Sequence, residues 1–153
     1  MVLKISEFLK PEAIIMQMKS RDKIAALKEL VDNIVDNKAV ENREELQKAL
    51  AKRENLESTG IGDGIAIPHA RTDAVKSLIL AFARSEEGVD FSAIDGKPSH
   101  LIFLIASPKN KKSEYIMALA KLSRLLRKQD VRQLLKKASN PEEILDIIKK
   151  KEE

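Results

Sequence analysis

The chain has 153 residues, 43% hydrophobic and 34% charged, with 28 Lys plus Arg against 24 Asp plus Glu for a net charge of +4, a balance that fits one globular domain over residues 1–153. Without cysteine and with only two histidines, disulfides, thiolate sites and cysteine nucleophiles are excluded and ligands for zinc are too few, so no metal or other cofactor is expected. No apolar run approaches the ~20 residues of a membrane span, and Met1-Val2-Leu3-Lys4-Ile5-Ser6-Glu7 lacks a signal-peptide core, so a cytoplasmic location is expected.

In chain order, Ala13 to Gln17 is a short apolar run that reads as a first strand. Ser20 then offers an N-cap, and Ile24, Leu27, Leu30, Val31, Ile34 and Val35 follow at helical spacing, an amphipathic helix of about five turns. Asn42 with Glu45 three residues on forms a capping box for a second helix carrying Leu46, Ala49 and Leu50, with Arg53 at its end. Strands are expected at Gly64 to Ile67, Leu78 to Ala83 and His100 to Ala106. The last two are nearly unbroken apolar runs, which implies a sheet covered on both faces. Asp95-Gly96 is a tight-turn signal that would join a strand over Val89 to Ile94 to the one beginning near His100. Beyond Pro108, Ile116, Leu119, Ala120, Leu122, Leu125 and Leu126 mark a helix, and Val131, Leu134 and Leu135 a shorter one. Asn140-Pro141-Glu142-Glu143 opens the last helix with a cap, an N1 proline and acids that suit the helix dipole. The alternation predicts an α/β fold, a three-layer α/β/α domain around a small mixed sheet.

The chemistry concentrates in residues 53 to 71. Arg53-Glu54 is followed by Thr59-Gly60, by glycines at 60, 62 and 64, and by Ile65-Ala66-Ile67-Pro68-His69-Ala70-Arg71. Imidazole is largely neutral and nucleophilic near pH 7, so His69 can accept a phosphoryl group without a separate base or a metal. Arg53 and Arg71 offer guanidinium forks for the phosphoryl oxygens, Thr59 a hydroxyl, and the glycines a run of backbone N–H groups able to form an anion nest. Pro68 disfavours helix at Ile67 and sends His69 off a strand end in a defined direction. On the residues alone, the bland alternative stands beside this: a hydrogen-bonded structural histidine with glycines that merely turn the chain. Gly-x-Gly-x-Gly fits neither a dinucleotide fingerprint nor a P-loop, so nucleotide binding is not supported. The lysines at 109 to 112 and between 121 and 137 raise nucleic-acid binding, but aromatic residues are only 3%. Acidic residues are interspersed, so a solvated helical face is the better reading and no nucleic-acid partner is expected.

The block resembles the active-site segment of enzyme IIA domains, type 2, of the bacterial phosphoenolpyruvate-dependent sugar phosphotransferase system, the fructose/mannitol and nitrogen-regulatory class. The pattern Arg-Glu, Thr-Gly and Gly-x-Ala-Ile-Pro-His is present throughout. The resemblance implies a phosphoryl group accepted on His69 from the histidine phosphocarrier protein and handed to an enzyme IIB domain, with Arg53 supporting the phosphoryl group and Thr59 and Gly60 beside it. Asp63, Arg71 and Tyr115 are candidates for a supporting role. Many members carry Glu-His-Leu after the last strand, where this chain reads Glu114-Tyr115-Ile116, and Tyr115 cannot carry a proton at neutral pH. His100 begins a buried strand and is read as structural. Contact with a membrane IIC transporter would be peripheral at most. The other function this class implies is a nitrogen-regulatory module whose phosphorylation changes which protein target it binds; with no IIB or IIC segment in the sequence, the chain leans to the regulator but is compatible with either role.

Overall fold

The computed structural model describes residues 3–34 and 38–152. The first half runs α1 (Ile5–Phe8), β1 (Leu9–Ile15), α2 (Lys23–Asn33), α3 (Arg43–Leu56), β2 (Gly60–Gly62), β3 (Ile65–Ala66) and β4 (His69–Arg71). The second runs β5 (Ile79–Val89), β6 (Ser99–Ser107), α4 (Lys112–Leu126), α5 (Gln129–Lys137) and α6 (Pro141–Lys151). The strands form one mixed sheet in the order β1-β5-β6-β3-β2, with β4 also on β6. β5 and β6 are antiparallel, whereas β1 on β5 and both β3 and β4 on β6 are parallel.

Consecutive strand residues point to opposite faces. Ala81, Phe82 and Ala83, and all of Leu101 to Ala106, have no exposed surface, so both faces of the central pair are covered. One cover is made by α2 and α3, which pack on each other and reach β1, β4 and β5; the other is the linked group α1, α4, α5 and α6. This is the three-layer α/β architecture expected. Phe82 and Phe103 face each other across β5 and β6 with ring centroids 4.6 Å apart, a cross-strand aromatic pair at the centre.

Two caps behave as the spacing requires: the Asn42 side chain accepts from Glu45 N–H and the Asn140 side chain from Glu143 N–H. Elsewhere the structure corrects the expectation. The first strand is Leu9–Ile15, not 13–17. The cap of α2 is Asp22, whose Oδ1 accepts from Ala25 N–H at 2.9 Å, while the Ser20 N–H and hydroxyl both go to Glu29. α2 ends at Asn33, about three turns rather than five, Ile34 forms its C-cap, and Val35 lies outside the described residues. No separate strand covers 89–94: β5 continues from Ile79 to Val89 and pairs with Ser99 at its end. The Asp95-Gly96 turn does form, with Gly96 N–H on Ala93 O at 3.0 Å and φ +70 at Gly96, but inside a loop.

The polar stretch of β5 begins at Arg84, beyond which its pairing with β6 shifts register before Val89. The Arg84 guanidinium donates to Met16 O and to Leu135 O, Lys136 O and Ala138 O. A cation thus satisfies the carbonyls that α5 leaves open at its C-terminus.

Candidate functional site

β3 and β4 are one strand interrupted. Ile65 and Ala66 pair with Leu101 and Ile102, and His69 to Arg71 with Ile105 to Ser107. The break falls at Ile67-Pro68, where proline supplies no N–H for a ladder and restricts the residue before it. Ile67 N–H turns instead to Thr59 O at 3.0 Å, while Pro68 O accepts from Ile105 N–H. The Ile67 carbonyl is thereby left for the imidazole, and His69 Nδ1 lies 2.6 Å from it. A carbonyl only accepts, so this contact assigns the proton to Nδ1 and leaves the Nε2 lone pair unshared. The ring is half-buried. Burial holds its pKa below the ordinary imidazole value and the Arg53 charge acts the same way, while the Ile67 carbonyl and Glu54 pull upward.

Around His69 stand Arg53, Glu54, Arg71 and Tyr115, from three elements. Tyr115, in the first turns of α4, sets its ring 5.8 Å from the imidazole at 54°. The Arg71 guanidinium carbon lies 5.9 Å from the centroid of the same tyrosine ring, a cation–π distance. Burial raises the Tyr115 hydroxyl pKa, with Arg53 and Arg71 opposing it; the phenol stays protonated at neutral pH. Arg53, in the last turn of α3, gives one Nη1 bond to Glu57 O at 2.7 Å. A cleft of about 850 Å³ adjoins, walled by one face of α3 (Glu45, Lys48, Lys52, Arg53), by Arg71 and by Lys109 and Tyr115. His69 is not one of its walls; it sits one ring away, against Tyr115. Cations outnumber the one carboxylate, Glu45, on the rim, so an approaching anion meets a net positive field.

The glycine run does not form the nest that the sequence suggested. Asp63-Gly64 is the turn of the β2–β3 hairpin, and Gly64 O accepts from His100 N–H and Leu101 N–H. That is four to five positions from Ile105, or ~15 Å along β6, too far for Asp63 to reach the imidazole. The Asp63 N–H is bound to Asp95 Oδ2 and the Gly60 N–H to Ser58 Oγ. Gly60 is needed for a close approach: a Cβ there would lie 3.0 Å from Ala93. Thr59 is buried, and its hydroxyl and N–H both donate to Glu54. Thr59 and Gly60 therefore have their donors spent, on Glu54 and on Ser58.

Sequence reasoning quoted Glu54 as half of the Arg-Glu pair but gave it no role, although a signal existed. Leu46, Leu50 and Glu54 recur at i, i+4 and i+8, which puts the carboxylate on the inward face of α3, and it is only 2% exposed.

Residues 7–151 match the family described as "Phosphoenolpyruvate-dependent sugar phosphotransferase system, EIIA 2", and the chain belongs to that family. It is 40% identical over 96% of its length to the PTS system fructose-specific EIIA component of Haloferax volcanii, 96% of which is covered. Identity is 38% over 95% of the chain with the PTS system fructose-specific EIIABC component of Bacillus subtilis, but the chain spans only 23% of that longer protein. A nitrogen regulatory protein of Bradyrhizobium diazoefficiens is 32% identical over 95% of both chains. Nitrogen regulatory protein IIA-Ntr from Neisseria meningitidis superposes with a TM-score of 0.88 at 34% identity, covering 94% of this chain and 98% of that one. The mannitol enzyme IIA of Escherichia coli, solved in complex with phosphorylated enzyme IIB, gives 0.79 at 25% identity over 93% of this chain and 99% of its own.

Proposed function

We propose that this chain is a phosphoryl carrier that loads His69 at Nε2 from the histidine phosphocarrier protein and discharges it to an enzyme IIB domain in sugar uptake of the fructose/mannitol type. The observation that carries this reading is the imidazole pinned through Nδ1 to Ile67 O with Nε2 unshared, between Arg53 and the Arg71–Tyr115 pair. In the transfer, the Nε2 lone pair attacks phosphorus, the P–N bond to the donor histidine breaks, and its electron pair returns to the donor nitrogen. A donor ring protonated on its other nitrogen leaves neutral. The His69 ring, now phosphorylated at Nε2 and still protonated at Nδ1, takes over the positive charge against the Ile67 carbonyl. Atoms and charge balance without a proton relay, so tyrosine at 115 is compatible with the chemistry. Arg53 and Arg71 meet the phosphoryl oxygens, charge stabilisation that in water-poor sites is a large catalytic term. Discharge is the reverse attack by a cysteine or histidine of the IIB domain.

The nitrogen-regulatory reading is favoured by a specific observation too, the 34% identity and 0.88 TM-score with IIA-Ntr. Both readings share the phosphorylated His69 and part at its fate. Incubation with phosphoenolpyruvate, enzyme I and the histidine phosphocarrier protein should give acid-labile, base-stable phosphate that depends on His69. A chase with IIB domains then separates the two: discharge within seconds supports the carrier, and retained phosphate with altered binding of a protein target supports the regulator. No label on wild type with a competent donor would overturn both.

A further inference from the structure

A buried carboxylate with no role in the transfer just described lies behind the nucleophile, and three hydrogen-bonded steps, the first of them a pair of bonds, connect it to the imidazole. Glu54 Oε1 accepts from the Thr59 hydroxyl at 2.6 Å and Oε2 from Thr59 N–H at 2.8 Å. Thr59 O accepts from Ile67 N–H at 3.0 Å, and Ile67 O faces His69 Nδ1 at 2.6 Å. We infer that Glu54 is a positioning residue for phosphoryl transfer: through Thr59 and Ile67 it fixes which nitrogen of His69 holds the proton and where Nε2 points.

Every link in this chain has a physical reason. Glu54 is 2% exposed and Thr59 4%, so the carboxylate meets its acceptor requirement almost entirely from one residue, and either partner left alone would be an orphaned buried polar group. That ties the C-terminal turn of α3 to the segment leading into β2. Thr59 O in turn holds the Ile67 N–H just before Pro68 interrupts the ladder, while on the far side of the break Pro68 O accepts from the Ile105 N–H. Orienting the Ile67 carbonyl orients the imidazole. The Ile67 N–H and the Ile67 carbonyl belong to different peptide groups, so the connection reaches the last acceptor by position and not by polarisation from Glu54. Its charge also acts on the ring directly, raising the His69 pKa against burial and Arg53. A carboxylate that both selects the tautomer and offsets a neighbouring guanidinium keeps the lone pair on Nε2 basic enough to attack.

This inference rests on the phosphocarrier reading, but it is tested on the unphosphorylated protein as well. In the full chain, long-range ¹H–¹⁵N NMR reads the protonated nitrogen of His69, and a pH titration of the same ring reads its proton affinity. Glu54→Gln should shift the tautomer mixture from Nδ1–H toward Nε2–H, move the His69 titration to lower pH, and slow loading from the phosphorylated histidine phosphocarrier protein about tenfold, with a cooperative fold retained. Thr59→Val, which removes only the hydroxyl link, should shift the same readouts by less, and Glu54→Asp should restore part of the Glu54→Gln loss. If Glu54→Gln does not fold, Thr59→Val decides alone. A folded variant with unchanged tautomer, titration and loading rate overturns the assignment. Absence of label on wild type would remove the phosphocarrier reading, while the tautomer and titration would still judge Glu54.

Discussion

His69 and His100 occupy opposite ends of the same strand neighbourhood and make the same first contact. Each is half-buried, and each places Nδ1 against a backbone carbonyl, Ile67 O at 2.6 Å and Ser85 O at 2.8 Å. Their surroundings differ in kind. His100 is wedged among Gly64, Gly88 and Pro98: a Cβ at Gly88 would come within 2.6 Å of Pro98 and 3.1 Å of the imidazole, at φ +95. His69 is instead faced by a tyrosine ring and two guanidinium groups, and backed by a buried carboxylate. A pinned imidazole is therefore common to both ends, and what distinguishes the candidate site is the charged and aromatic neighbourhood of the His69 ring. The Gly88 and Pro98 contacts crowd the His100 ring, whereas the proposed role of His69 draws on the guanidinium groups beside it.

The sharpest way to break this contrast is to exchange losses. His69→Ala should abolish phosphate acceptance and leave the fold intact, whereas His100→Ala should keep full acceptance; labelling of both variants checks this. Arg53→Ala comes next, slowing acceptance by about 10²-fold, the scale of one transition-state donor, without preventing the donor from binding; stopped-flow transfer rates measure it. At the packing end the effect should be on stability alone: Gly88→Ala costs about 1–3 kcal/mol in denaturant unfolding, with transfer per folded molecule unchanged.

The pH dependence of stability gives a subtler separation. The unfolded imidazole titrates near 6.5, and burial, seconded by Arg53, holds the folded His69 below that. As pH falls through 6.5 the unfolded chain takes up a proton that the folded ring refuses. Stability present above that value is lost progressively down to the folded pKa and is flat below it. Wild type should therefore lose melting temperature relative to His69→Ala between pH 7 and 5, and parallel curves would contradict the shift. The smallest effect belongs to Tyr115→Phe, which keeps the ring between His69 and Arg71 and removes only a hydroxyl with no part in the transfer. Loading should change by less than about threefold, or ~0.6 kcal/mol.

Much of the fold was legible because local signals agreed with the tertiary structure. The unbroken apolar runs at 78–83 and 100–106 became the central strands, and Asn42 and Asn140 cap the helices they precede. The failures share a cause: a distant partner overrode the local pattern. Ser20 and Asp22 are both good caps, and Glu29, reaching back to Ser20, decides between them. The apolar run stops at Ala83, yet β5 runs on to Val89 while the carbonyls at the end of α5 take Arg84. The site divides the same way. Arg53 and His69 are readable from seventeen residues of sequence, but the meeting of Arg71 with Tyr115 spans elements whose adjacency only the sheet supplies. The glycines misled because a nest and a hairpin turn need the same φ > 0 residues, and only the pairing of β2 with β3 says which is built.

The account turns on one nitrogen. Long-range ¹H–¹⁵N correlation on the phosphorylated full chain, with a ³¹P-coupled reference, would identify both the residue and the ring position modified. The account predicts phosphorus on Nε2 of His69 with the proton kept on Nδ1 against Ile67. Phosphorus on Nδ1, or on any other residue, would contradict it.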